Sequence, residues 1–121
     1  MTDFKRHNFK KLKIWQMAME RASVIFDLTS DFPYEEKFGL VSQMNRRAVS
    51  IPSNLAESSS RTNKSFNHFL DLFLGSSFEL QTQLILANSR RYIVDGSLNI
   101  LKNKLEEFHK AKMTFQNILN Q

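Results

Sequence analysis

The chain has 121 residues, no cysteine, and 17 Lys plus Arg against 12 Asp plus Glu, giving a formal charge of +5 and a pI near 9.7. That length suits one domain with one core, and the lack of cysteine removes disulfides, thiolate metal sites and thiol nucleophiles. The basic balance favours anionic partners such as RNA or DNA, and no apolar run approaches the roughly 20 residues that cross a bilayer, so no membrane partner is expected.

Met1 to Lys13 carries Lys5, Arg6, Lys10, Lys11 and Lys13 without the apolar run of a secretory signal, which predicts a cytoplasmic protein. Residues 1–10 read as a flexible basic lead within a single domain spanning 1–121. Leu12, Trp15, Met19, Ala22 and Phe26 recur at helical spacing and predict the core stripe of a first helix, thickened by Ile14, Met17, Val24 and Leu28. Asp31 and Pro33, followed by Glu35 and Glu36, predict a stop and the restart of a new helix, with Gly39 as a break before its main body.

The second helix, Leu40 to Ser60, carries two stripes. Val41, Met44, Ala48, Ile51 and Leu55 build a core face, while Arg47, Ser50, Asn54, Glu57 and Arg61 recur beside it as a polar stripe. We expect that stripe, with Glu79 from the next helix, to bond to a neighbouring helix or subunit, and Glu57 and Glu79 to accept from Arg46, Arg47 or a helix end. Pro52 lies inside this helix at a cost of about 3 kcal/mol, predicting a kink or a split, with Ser50 and Ser53 bonding to freed backbone groups.

Asn63 is the expected N-cap of a third helix, whose Phe66, Phe69, Leu70, Phe73, Leu74, Phe78, Leu80, Leu84 and Ile85 form an arc wider than one bundle seam needs. Gly75-Ser76-Ser77 would let another backbone approach it. Asp95-Gly96-Ser97 reads as a turn before a fourth helix with Leu98, Leu101, Leu105, Phe108, Phe115 and Leu119 on one seam and Lys112 as its polar insertion. These spans predict an all-α, antiparallel up-down-up-down four-helix bundle of similar-length helices, oligomeric.

No enzyme, cofactor or metal is expected. A di-metal bundle needs two Glu-x-x-His pairs; Glu106 and His109 supply one, and His7 and His68 stand alone. No Gly-x-Ser-x-Gly elbow or phosphate-cradling glycine loop occurs. Trp15 and the phenylalanines read as core rather than as base-stacking platforms. What remains is charge: Lys10, Lys11, Lys13, Arg46, Arg61, Lys64, Arg90 and Arg91 are the candidate nucleic-acid-binding residues, with Lys102, Lys104, Lys110 and Lys112 adding to the field. Repeated around an oligomer, such clusters would sum to a multivalent surface.

Phe32-Pro33, Glu36, Phe38-Gly39-Leu40, Gln43, Arg46-Arg47-Ala48-Val49-Ser50-Ile51-Pro52-Ser53-Asn54-Leu55-Ala56-Glu57, Arg61, Gly75-Ser76, Glu79 and Gln83, preceded by Trp15-Gln16, resemble the four-helix-bundle proteins encoded in intervening sequences of 23S ribosomal RNA genes. Ser58 departs from the glycine usual there, which bears on where the second helix ends. The resemblance implies a homopentameric bundle with no established enzyme activity. A related branch of accessory proteins serves reverse transcriptases of diversity-generating retroelements through a basic pentameric barrel, so a reverse transcriptase is an expected partner only for a retroelement-encoded chain. The alternative expectation is a purely structural or protein-interaction oligomer.

Overall fold

The computed structural model describes residues 8–121; Lys5, Arg6, His7 and most of the expected basic lead lie outside the described residues. A 3-10 turn, Phe9–Lys11, precedes α1 (Lys13–Thr29), and a second, Tyr34–Glu36, precedes α2 (Leu40–Ser58); α3 (Asn63–Ser89) and α4 (Asp95–Leu119) follow, with no strand among the described residues. The helices contain 17, 19, 27 and 25 residues, so they are not of similar length. Asp95 to Ser97, expected as a turn, is instead the first turn of α4, where exposed backbone N–H groups favour the Asp95 carboxylate.

Consecutive helices pack on one another and α1 also packs on α4, around two core clusters that divide every helix near its middle. One holds Ile25, Met44, Leu84 and Leu101; the other holds Ile14, Leu55, Phe66 and Phe108. Met44, Leu55, Phe66, Leu70 and Leu84 are completely shielded. Each such side chain contributes about 1.5–3 kcal/mol of apolar transfer. Polar contacts repeat the pairing: Thr29 Oγ1 donates to Asn45 Oδ1 at 2.9 Å, Gln116 on α4 meets Asn67 and Asp71 on α3, and Asn88 Nδ2 donates to Asp95 Oδ1 at 2.9 Å.

Several local expectations are corrected. In α1 the buried stripe is Ile14, Ala18, Ala22, Ile25 and Thr29, while Met19 and Phe26 are each 45% exposed. Small alanines let α1 approach its neighbours closely and displace the bulky residues to the flank. The helix α2 runs unbroken through Pro52. Ser50 Oγ donates to the Arg47 carbonyl at 2.8 Å, not to the Ala48 carbonyl that loses its donor at Pro52. Pro33 opens only the second 3-10 turn, and Glu36 Oε1 then accepts from Leu40 N at 3.3 Å, serving the first free donor of α2. Thr62, rather than Asn63, caps α3, its hydroxyl accepting from Ser65 N at 3.2 Å. No backbone approaches Gly75: a methyl group there meets nothing within 4 Å. In the wide arc of α3, Phe66, Leu70, Phe73, Leu80 and Leu84 are buried but Phe78 and Ile85 are exposed. The glycine-to-Ser58 departure is accommodated because its buried hydroxyl donates to the Leu55 carbonyl at 3.1 Å in the last turn of α2.

Candidate nucleic-acid interface

Two separate stretches bring cations to the half of the bundle built on Ile14, Leu55, Phe66 and Phe108. Asn8 Oδ1 accepts from Lys10 N at 3.3 Å, and Gln16 Nε2 donates to the Lys10 carbonyl at 2.9 Å, fixing the first 3-10 turn against α1. Phe9 packs edge-on against Trp15 with centroids 5.3 Å apart, and Lys10 Nζ lies 6.0 Å from the Phe9 ring centre. Lys10, Lys11 and Lys13 thus stand exposed where α1 begins. Arg61 and Lys64 stand exposed where α2 ends and α3 begins. Arg61 Nη2 reaches Glu57 Oε1 at 2.7 Å, and its guanidinium lies 4.8 Å over Phe69. Among the described residues, Lys10, Lys11, Lys13 and Lys64 form no ion pair.

Arg46, Arg90 and Arg91 lie with the other core cluster and do not join those five. Tyr92 donates to Glu36 Oε2 at 2.7 Å. That hydrogen bond and the one from the Leu40 N–H hold the Glu36 carboxyl below its ordinary pKa against the opposing effect of burial, with the Arg90 charge adding least. Arg91 closes α3 in the left-handed region, φ 64°.

Within the polar stripe, Arg47 Nε lies 2.6 Å from Glu79 Oε2, linking α2 to α3, although the N–H is not aimed along a hydrogen bond. Glu57 serves Arg61, Ser50 serves its own helix, and Asn54 is exposed. Sequence reasoning missed Arg21, whose Nε donates to the Lys104 carbonyl at 3.1 Å and whose Nη2 meets Glu107 at 3.3 Å, tying α1 to α4. Its place seven residues after Ile14, on the true core register, was the signal. Beside α2, Trp15, Met19, Phe26, Val49, Pro52 and Ala56 line an open apolar groove of about 600 Å³, so Phe26 is groove wall rather than core, while Trp15 both lines the groove and packs against the core cluster built on Ile14.

Glu106 and His109 gather no third ligand: no cluster of three or more metal-binding side chains occurs among the described residues, and His109 instead meets Ser77. No helix among the described residues is long and apolar enough to cross a membrane. The profile of the family described as 23S rRNA-intervening sequence protein matches residues 10–113, from the first 3-10 turn into α4. No curated protein matches the chain.

Proposed function

The chain belongs to the 23S rRNA-intervening sequence protein family, and from that premise we propose that it is a non-enzymatic, cytoplasmic helical-bundle protein that assembles with copies of itself and binds RNA or DNA. The observation that carries this reading is the convergence of Lys10, Lys11, Lys13, Arg61 and Lys64, from two stretches of sequence, on one half of the bundle. Phosphate attraction grows with the number of cations presented together, and a homopentamer, the assembly implied by the family resemblance, would repeat this set around its axis. An antiparallel, up-down-up-down order is part of the reading. It is supported by contacts in which α3 positions 67, 71, 77 and 88 meet α4 positions 116, 116, 109 and 95.

The test is binding of labelled RNA and DNA by nucleic-acid-free protein across a salt series, with mass measured by light scattering. We expect affinity to fall linearly on logarithmic axes, with a shallower slope after Lys10→Ala, Lys11→Ala and Lys64→Ala are combined. No binding at low salt overturns the nucleic-acid reading, and a monomeric mass overturns the assembly. The apolar groove beside Pro52 favours a second reading, a protein-interaction oligomer whose charge only keeps it dispersed. Co-purification of one protein partner without nucleic acid would select it. For a chain encoded beside a reverse transcriptase, that enzyme is the partner to test first.

A further inference from the structure

We propose that the guanidinium of Arg61, stacked on Phe69 at the α2–α3 corner, is the platform on which one unpaired base of a bound strand stacks; this rests on the nucleic-acid reading above and names its ligand as single-stranded RNA or DNA. The Arg61 guanidinium lies 4.8 Å over the Phe69 ring. Its Nη2 also donates to Glu57 Oε1 at 2.7 Å, so one face and one edge are held while the side chain stays 43% exposed. The backbone beneath it is fixed as well. Arg61 N donates to the Ser58 carbonyl at 3.0 Å, Phe66 N donates to the Thr62 carbonyl at 2.8 Å, and the Thr62 hydroxyl caps α3. A planar cation held in this way loses little further freedom when a second flat group arrives.

The surroundings of the stack select the ligand. Glu57 is the carboxylate at the stack, and Arg61 itself balances that charge. Lys64 and His68 stand exposed one turn apart on α3, and the His68 ring centre lies 5.8 Å from that of Phe69. The lysines of the first 3-10 turn approach from α2: Phe9 lines the same groove as Ser53 and Ala56, in the last two turns of that helix. A flat cation flanked by lysines matches the two parts of a nucleotide, a π-face and a phosphate, whereas an acidic peptide would use the charges and leave the plane idle. Bases in a duplex stack on one another and turn only their edges outward. An unpaired base offers its face to an aromatic ring or an arginine plane, and because every base has such a face, the site tolerates any sequence.

The test is fluorescence anisotropy with two short labelled strands of equal phosphate number, an oligodeoxycytidylate and an abasic strand that keeps the sugars and phosphates without the bases. We expect the base-bearing strand to bind about tenfold more tightly, the scale of one stacked base. Arg61→Lys keeps the charge but loses the plane, so it should remove most of that preference while holding the abasic strand as tightly as the native protein does. Lys64→Ala should weaken both strands by a common factor. Equal binding of the two strands overturns the inference and leaves the nucleic-acid reading standing. A preference that survives Arg61→Lys also overturns it. Failure to bind either strand overturns both. The abasic arm changes only the probe, so it discriminates even if a variant folds poorly.

Discussion

His109 Nε2 and Ser77 Oγ lie 2.6 Å apart across the α3–α4 seam, and the serine is fully buried. The imidazole also packs edge-on against Phe78. Burial holds its pKa below the ordinary histidine value, and Lys112 lowers it further while Glu106 opposes. The unfolded chain therefore takes up this proton first, at about pH 6.5. Stability from this site is fully present above that value and is lost as pH falls toward and through the folded pKa. Melting temperature should drop between neutral and mildly acidic pH, and His109→Gln should flatten that part of the profile. Identical profiles for the two proteins would remove His109 as the cause.

Lys112 is only 4% exposed and occupies the α4 core register between Phe108 and Phe115. Its stem is packed in the core register and holds the ammonium at the edge of the packed seam, where a thioether of similar length would pack without drawing a charge partly out of water. Lys112→Met should raise unfolding free energy by roughly 1 kcal/mol in a denaturant titration. It should also move the His109 pKa upward, because one of the two causes that depress it is gone. A variant that is less stable, with an unmoved histidine titration, would show that the lysine head is held by polar contacts.

The four helical spans were legible because their apolar residues recur at helical spacing; Met44, Ala48, Ile51 and Leu55 on α2 are buried where that spacing places them. On α1 two adjacent stripes satisfy the same period, and residue size misled: of the expected stripe Ala22 is buried and Trp15 packs against the core, but Met19 and Phe26 are exposed, while Ala18 and Ile25 carry the close packing. Helix ends were harder, since Thr62 and Asn63 are both capable caps and backbone geometry chooses between them. The cationic candidates were named individually, but their division into a set of five and a set of three depends on which helix halves share a core cluster. The roles of Arg21 and Gln116 were harder to foresee for a related reason: Arg21 meets Lys104 and Gln116 meets Asn67 and Asp71, each pairing more than forty residues apart.

The Arg47–Glu79 contact joins α2 to α3, but the two side chains are 35% and 51% exposed. Solvent screening at that exposure limits an ion pair to about 0–1 kcal/mol. A double-mutant cycle of Arg47→Ala and Glu79→Ala should return a coupling in that range, shrinking as salt is added. If the polar stripe also lies between subunits, Arg47→Ala will shift the light-scattering mass far more than this small coupling accounts for. An unchanged mass confines Arg47 to the α2–α3 seam.

Arg91 is the one residue other than glycine with positive φ among the described residues, at 64°. It ends α3 in a Schellman arrangement: Tyr92 N donates to the Ala87 carbonyl at 2.9 Å and Arg91 N to the Asn88 carbonyl at 2.9 Å. The left-handed conformation costs a side-chain-bearing residue about 1–2 kcal/mol, which glycine avoids. Arg91→Gly should therefore stabilise the fold by about 1 kcal/mol, the larger unfolded-state entropy of glycine offsetting part of the gain. Arg91→Asn should lie between the two, because asparagine tolerates this region. The same substitutions test the cation's use. If Arg91 touches phosphate, affinity falls as stability rises, and the salt slope drops by about one contact. If affinity is unchanged while stability rises, the arginine contributes nothing to nucleic-acid binding at this turn.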